Sequence, residues 1–264
     1  NLFMKKNSNN YVVTFLYHEV TDTPNSSGFN IKSNLPYKLK TKEFINHINI
    51  IENCSIKPTT IDKLDNNSTN HQILLTFDDG GKSAMYIADI LDKNNWKGHF
   101  LITTSMIGDL NFLNKLDIRE LFERKHIIGT HSHNHHAPFR NLNFNEMLYE
   151  WSHSIKILEQ IISSKIICAS IPGGDMDEKT VISAKNCKIK FLFTSEPQNK
   201  LLLKDEITLV GRVCPKVGTK ISKIKNFANN KGFVNERLAR FVKNFIRTIL
   251  GPFYTYYVKK KHSY

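Results

Sequence analysis

Two groups of residues in this chain have side chains that can bind a metal ion and move a proton. Asp78 and Asp79 follow the apolar run 73–77, and His131 and His135 lie about fifty residues later, four positions apart. Two imidazoles at this spacing can face one point on a helical turn or in a tight loop. With the carboxylate of Asp79 they would form a two-histidine, one-carboxylate set with open coordination positions, which catalytic zinc or another borderline divalent metal requires.

The remaining carboxylate, Asp78, would point in a different direction at the end of a strand. It could then take a proton from water that a metal ion has acidified. Each group alone is a weak signal, because paired aspartates also form turns and helix caps and clustered histidines also occur on surfaces. Both groups follow predicted strands, however, and the carboxyl ends of parallel strands form the active-site edge of α/β folds.

Predicted strands alternate with predicted helices along most of the chain. This alternation favours parallel βαβ units in one α/β domain, closed into a barrel-like sheet of about seven strands. Trp96 and Trp151 are expected in the core. The strands are predicted at 11–17, 73–77, 98–103, 126–130, 166–171, 191–194 and 207–213, and the helices at 41–53, 82–94, 115–125, 143–163 and 177–186, the first of them capped by Thr41.

Two connections are long enough to contribute to a binding site. Residues 20–40 are polar and contain Pro24, Gly28 and Pro36, which predicts a long surface loop, and residues 104–114 form a second loop. Loops of this length in a compact domain are usually functional. We expect both to shape a substrate groove.

Residues 233–264 differ in character from the domain formed by residues 1–232. Apolar residues recur there at helical spacing with basic residues between them, until Gly251 and Pro252 end the pattern. The favoured interpretation is a helix that packs on the barrel. The alternative is a basic amphipathic helix that contacts an anionic membrane surface, because the same apolar face serves both purposes.

Net charge and cysteine content indicate which classes of partner and which cellular compartment to expect. The formal net charge of +13 favours anionic partners, but the basic residues are scattered and match no nucleic-acid-binding motif, so we predict no nucleic-acid partner. The residues before position 11 contain no apolar export segment. We therefore expect a cytoplasmic protein, with a peripheral position at the inner membrane or a removed export signal as the alternatives. The four cysteines form no CxxC pair and are expected to be reduced, mostly buried thiols: Cys54, Cys168, Cys187 and Cys214.

Two motifs give the chain a resemblance to a known family. Residues 76–80, TFDDG, and residues 131–135, HSHNH, match the two metal-site motifs of the polysaccharide deacetylases, the NodB-homology or carbohydrate esterase family 4 enzymes. The resemblance runs from about Tyr11 to Val213. It implies a distorted (β/α)7 barrel of the NodB type.

The resemblance also implies a reaction. Asp78 would be the catalytic base, and Asp79, His131 and His135 would bind the metal, which is expected to be Zn²⁺, with Co²⁺ or Ni²⁺ as alternatives. The implied reaction removes an N-acetyl group from a sugar. We expect the substrate to be a bacterial cell-surface polysaccharide or its lipid-linked precursor.

The chain departs from the family pattern at a third motif. The family sequence R-x-P-x-G appears as residues 170–174, SIPGG, with Ser170 in place of the arginine. The resemblance still implies that the backbone N–H of Gly173 donates to the oxyanion, because a main-chain donor survives a change of side chain. The arginine of the family normally contacts the base. Arg212 is our candidate replacement, and an ordinary salt bridge of Arg212 is the equally weighted alternative.

The general acid also departs from the pattern. The late leucine-x-leucine-histidine motif is absent around residues 209–213. Similar proteins with a Tyr-His pair after the first strand point to Tyr17-His18, so we predict that His18 protonates the leaving amine. His99 is expected to be structural, and His133 and His136 are expected near the rim of the site.

Other activities fit the same residues. Similar barrels remove formyl groups or O-acetyl esters, and a chain that has lost the usual arginine and histidine could be a catalytically silent module that binds glycans.

Overall fold

The computed structural model describes residues 11–65 and 68–242 of the chain. Strands and helices alternate through most of these residues. In chain order the strands are β1 (Val12–Tyr17), β2 (Glu19–Val20), β3 (Lys38–Leu39), β4 (Pro58–Thr59), β5 (Gln72–Phe77), β6 (His99–Ile102), β7 (Ile127–Thr130), β8 (Cys168–Ser170), β9 (Phe191–Phe193), β10 (Leu202–Lys204) and β11 (Ile207–Val210). The α-helices are α1 (Thr41–Glu52), α2 (Ala84–Lys93), α3 (Lys115–Glu123), α4 (Phe144–Ile162), α5 (Glu178–Asn186) and α6 (Ile221–Ala228).

The main sheet is parallel and curled. Its strand order is β1-β5-β6-β7-β8-β9-β11, with β10 antiparallel on β11 and β4 beside β5. Val213, just beyond β11, joins the two ends of the sheet, because Leu16 N–H donates to its carbonyl at 2.8 Å and its own N–H donates to Thr14 at 2.9 Å. The structure therefore confirms the predicted α/β fold, a distorted seven-stranded barrel in a single domain.

Aromatic residues line the outer face of the sheet, where Phe44 of α1 packs on Tyr17 and Phe77. Apolar residues such as Leu74 and Leu101 fill the inside. Tyr17, Phe77 and Phe100 come from three adjacent strands and stack in a row, with ring centroids 5.9 and 5.1 Å apart. The helices cover the outside with their apolar faces. Trp151 of α4 is fully buried and donates its indole N–H to Ser183, and Trp96 is also buried, as the sequence predicts.

Several helix ends follow directly from the sequence. Asn114 and Asn143 each accept hydrogen bonds from backbone N–H groups of the first turn of α3 and α4, and each forms a capping box with an acidic residue. The prediction that Thr41 caps α1 is wrong, because Thr41 is already helical. Its N–H donates instead to the carboxylate of Asp22, nineteen positions earlier, so this cap comes from a distant loop.

The polar segment 21–37 is attached to the barrel by a buried network, which polarity alone does not predict. Glu19, in β2, accepts hydrogen bonds from the hydroxyl groups of Ser27 and Ser83. The Ser83 N–H donates to Ser27 Oγ at 2.7 Å. Lys38, in β3, donates its ammonium group to the carbonyl oxygens of Pro24 and Ser27. The segment is therefore fixed at both ends and at its middle.

The last described residues form a further helical segment, 233–242. Phe233 is buried against Phe227 and Arg240 pairs with Glu196, so one side of this helix packs on the barrel. Val234 and Leu238 are 67% and 61% exposed on the other side. A domain boundary at 232/233 and a membrane contact stay predictions, and residues 243–264 lie outside the described part of the chain.

Two other features bear on the predicted compartment. Within the ranges that the structure describes, no helix has the length and apolar character needed to cross a bilayer. All four cysteines are free thiols; Cys168 is buried, whereas the other three are only half-buried.

The network around Glu19 predicts a pH-dependent stability. Burial raises the pKa of Glu19 from 4.5 to about 7, although the hydroxyl groups of Ser27 and Ser83 lower it. A carboxyl group whose pKa is raised by folding binds its proton more tightly in the folded state, so stability falls as the pH rises between these two values. Glu19→Gln removes the charge, and we expect its melting temperature to rise relative to wild type between about pH 5 and about pH 8.

The measurement is thermal unfolding of chelator-treated protein, with the exposed Glu123→Gln as the matched control. A difference between wild type and Glu19→Gln that does not change with pH would contradict the prediction.

Candidate active site

The sequence-predicted site residues meet at the carboxyl edge of the sheet. Asp78 and Asp79 follow β5, His131 follows β7, Ser170 ends β8 and Arg212 follows β11. Each of these residues is at most 3% exposed. Parallel strands bring all their carboxyl ends to one edge, so residues far apart in the sequence converge there.

The backbone turns sharply between the two aspartates. Asp78 continues the strand, since its N–H donates to the carbonyl of Tyr17 at 3.0 Å. Asp79 has a φ of 76° and Gly80 a φ of 80°, in the left-handed region that aspartate tolerates better than most residues. A Cβ on Gly80 would also lie 3.1 Å from the side chain of Ile102. This turn sends two adjacent carboxylates to different partners.

Asp79, His131 and His135 form the predicted metal set. Asp79 Oδ1 lies 3.4 Å from Nε2 of His131 and 3.4 Å from Nε2 of His135, and the three potential ligand atoms are all within 4.8 Å of one another. Asp79 Oδ1 is buried without a hydrogen-bond partner in the described part of the chain. An orphaned carboxylate oxygen facing two imidazole nitrogens fits a divalent cation.

The electrostatics of this set also suit a cation. Burial opposes the ionisation of Asp79, but His135, His18 and His131 keep its pKa well below the usual range. Burial lowers the pKa of His131 to about 4, so its imidazole is neutral and its nitrogen lone pair is available. Nδ1 of His131 lies 3.1 Å from the carbonyl oxygen of Ser170, which can only accept a hydrogen bond, so Nε2 is the nitrogen left for a metal.

The histidine motif forms a tight loop rather than a helical turn. Ser132 and His135 have φ angles of 66° and 56°, and Ser132 Oγ accepts the N–H of His135 at 3.1 Å. The buried carboxylate of Glu150, in α4, accepts the backbone N–H groups of His133 and Asn134 at 2.9 and 2.7 Å. Glu150 therefore fixes the loop that carries both imidazoles.

Arg212 lies against Asp78 in a two-point contact. Its Nη1 and Nη2 each donate to one carboxylate oxygen of Asp78 at 2.8 Å, and its Nε donates to the carbonyl of Thr194 at 3.0 Å. Burial opposes the ionisation of Asp78, but Arg212 and His131 lower its pKa below the usual range. The arrangement keeps an ionised carboxylate beside the metal set, which is what a general base requires.

The structure brings His18 to the same site. His18 follows β1, is half-buried, and packs against Tyr37 with ring centroids 4.8 Å apart. Burial lowers its pKa, while the nearby charges of Asp79 and Asp78 raise it. The assignment of His18 as general acid stays a prediction.

Gly173 lies in a tight turn directly after β8, at the same edge of the sheet. Its φ is 70°, and a Cβ would lie 3.1 Å from the Cβ of Ala137. Both observations explain why glycine is needed here. Neither tests the predicted contact of its N–H with an oxyanion.

Of the remaining histidines, one has a structural role and two lie beside the site. His99 is buried, accepts the N–H of Ile61 at 2.9 Å and contacts the carbonyl of Leu75 at 2.8 Å, which is a structural role. His133 contacts Thr104 Oγ1, and the half-exposed His136 lies 3.7 Å from Glu150, both beside the metal set.

Sequence reasoning missed Glu150 and the orienting role of Ser170. Glu150 lies on the apolar face of α4. An acidic residue among the apolar positions of this helix is the feature of the sequence that could have indicated its role. In the sequence, Ser170 is visible only as a departure from the family motif. The partners of both residues are distant in the sequence, so only the folded structure shows these contacts.

Breaking the Arg212–Asp78 pair should cost more stability than losing a surface pair. Arg212→Met leaves the Asp78 charge buried without a partner, and we expect a loss of about 3–5 kcal/mol in the free energy of unfolding. The exposed Lys165 pairs with Glu159 at 3.0 Å, and Lys165→Met should cost about 0–1 kcal/mol. Denaturant unfolding of both variants, of Asp78→Asn and of the double variant measures the coupling. If the losses in the free energy of unfolding at Asp78 and Arg212 were additive, the two residues would not be coupled and the prediction would be wrong.

Glu150 should affect metal binding without touching the metal. Glu150→Gln replaces one acceptor oxygen with an NH₂ group, so the loop that carries His131 and His135 loses part of its support. We expect the affinity for Zn²⁺ or Co²⁺ to fall about 10- to 100-fold. Titration calorimetry on chelator-treated protein measures it, with the exposed Glu52→Gln as control. Unchanged affinity in Glu150→Gln would exclude this orienting role.

Comparisons with known proteins agree with this architecture. The chain superposes on a polysaccharide deacetylase from Bacillus cereus with a TM-score of 0.70 at 19% identity, covering 83% of this chain and 69% of that one. IcaB from Ammonifex degensii gives 0.70 at 15% identity, covering 84% and 98%. A de-N-acetylase from Aggregatibacter actinomycetemcomitans gives 0.66 at 22%, covering 83% and 100%. At these identities the similarity shows the fold.

The sequence comparison covers the residues of the candidate active site. No curated protein sequence matches the chain. The family model described as polysaccharide deacetylase matches residues 65–192, the range that contains both aspartates and both histidines of the metal set. Over these residues, just under half of the chain, the sequence matches the polysaccharide deacetylase family.

Proposed function

We propose that this protein is a metal-dependent hydrolase that removes N-acetyl groups from sugars of a bacterial cell-surface polysaccharide or its lipid-linked precursor. The observation that carries the proposal is the ionised Asp78, fixed by Arg212, beside the set of Asp79, His131 and His135. The name de-N-acetylase of one structural relative supports amide rather than ester hydrolysis.

The residues of the chain divide the chemistry among them. A divalent metal, when bound by Asp79, His131 and His135, polarises the substrate carbonyl and acidifies water. Asp78 takes the proton from the attacking water as its oxygen bonds to the carbonyl carbon. Gly173 donates its N–H to the developing oxyanion.

Breaking the carbon–nitrogen bond requires a proton on the leaving nitrogen. His18 is the proposed donor, because it follows β1 at the edge of the sheet that carries the site and the charges of Asp79 and Asp78 act on its imidazole. Burial lowers the pKa of His18, so the resting imidazole is neutral, and the proton that it donates must reach it during turnover. The products are acetate and the free amino sugar.

Turnover of an N-acetylated oligosaccharide tests the proposal. Wild-type protein loaded with Zn²⁺ or Co²⁺ should release acetate and an amine, and a chelator should abolish the release. Asp78→Asn should lower kcat by about 10²- to 10⁴-fold because the proton acceptor is lost. The exposed Asp89→Asn is the matched control and should retain wild-type turnover.

Product analysis distinguishes the alternatives. An alcohol in place of the amine would indicate an O-acetyl esterase, and formate in place of acetate would indicate a deformylase. Glycan binding without turnover with each metal would indicate a silent binding module. Full activity of Asp78→Asn would overturn the assignment of the base.

A further inference from the structure

We propose that Phe29 and Tyr37, on the segment 21–37, form the walls of a sugar-binding subsite directly beside the metal set. The inference rests on the proposed function and names the part of the site that recognises the sugar ring rather than the acetyl group. The class of ligand is a pyranose with an acetamido substituent.

Each aromatic ring packs on a different imidazole of the site. The ring centroid of Phe29 lies 4.8 Å from that of His135 and 4.9 Å from that of Phe112. The ring of Tyr37 lies 4.8 Å from that of His18. Both aromatic side chains are half-buried, so each retains surface that a ligand can cover.

Backbone hydrogen bonds beside Phe29 and Tyr37 hold both rings in position. Gly28, next to Phe29, donates its N–H to the carbonyl of Asn111 at 2.9 Å. Pro36, next to Tyr37, accepts the N–H of Val217 at 2.9 Å. Together with the buried network around Glu19, these bonds fix the segment before a substrate binds. Preorganisation of this kind reduces the entropy lost on binding.

The chemistry of the substrate requires contact at this position. An acetamido carbonyl at the metal set is joined to its sugar ring through only one nitrogen, so the ring must lie beside the imidazoles of His135 and His18. One face of a pyranose ring consists largely of C–H groups, and the flat surface of an aromatic side chain matches it. Phe29 packs on the imidazole of His135 and Tyr37 on that of His18, so both rings lie where the sugar ring is expected.

The two walls differ in character. The ammonium of Lys216 lies 4.5 Å from the ring centroid of Tyr37, and Lys216 is exposed. The Tyr37 wall therefore presents a hydroxyl and a cation, which suit the hydroxyl groups of a sugar. Phe29 packs on the ring of Phe112 and the imidazole of His135 and has no polar group of its own, so its contact with the ligand is apolar. Phe29 is the more direct test of the subsite.

The experiment compares a glycan with a substrate that has no sugar. In Phe29→Ala we expect the KM for an N-acetylated oligosaccharide to rise about tenfold with little change in kcat, because an aromatic contact is lost. Hydrolysis of 4-nitrophenyl acetate should stay at the wild-type rate. Phe29→Tyr keeps the flat ring and should restore the wild-type KM. Tyr86→Ala removes a similarly exposed aromatic on α2 and is the matched control.

An equal loss on both substrates, or a lower metal content in Phe29→Ala, would show that Phe29 only supports His135 and would overturn the proposal. Failure of the proposed function is a separate result, namely that wild type turns over no glycan. In that case calorimetry of oligosaccharide binding to metal-loaded protein still tests the subsite. Binding about tenfold weaker in Phe29→Ala supports it, and equal binding overturns it.

Discussion

The buried ion pair of Arg212 and Asp78 is the interaction on which the site depends. Two charges removed from water are stabilising only when their geometry is good and their remaining donors and acceptors are bonded. Here both oxygens of Asp78 accept from Arg212, and the Nε of Arg212 donates to the carbonyl of Thr194. One guanidinium group thus connects the carboxyl ends of β5, β9 and β11.

This pair also coincides with the place where the sheet closes. Val213, the next residue, pairs with β1 through two backbone hydrogen bonds and so brings the last strand next to the first. The guanidinium of Arg212 reaches Asp78 because β1 lies beside both β5 and the end of β11. Closure of the barrel and alignment of the proposed base are therefore consequences of the same strand pairing.

The metal set shows how neighbouring elements complete a short motif. The motif supplies Asp79, His131 and His135, but their directions come from elsewhere. Ser170 orients one imidazole through Nδ1, and Glu150 binds the loop that carries both. Groups of this kind set the tautomer and the position of the ligands, so a metal site depends on them nearly as much as on the ligands.

The sequence by itself determined the alternation of strands and helices, because the hydrophobic periodicity that predicts them is local. It also brought Asp78, Asp79, His131 and His135 together, because they follow strands that a parallel sheet must align at one edge. It did not determine how the loop 21–37 attaches, because the cap of α1 by Asp22 and the network of Glu19 join residues distant in the sequence. Whether Arg212 meets Asp78 was equally open, since any buried arginine can form another salt bridge. Only the tertiary structure decided these contacts, because each depends on which strand ends and loops become neighbours when the sheet curls.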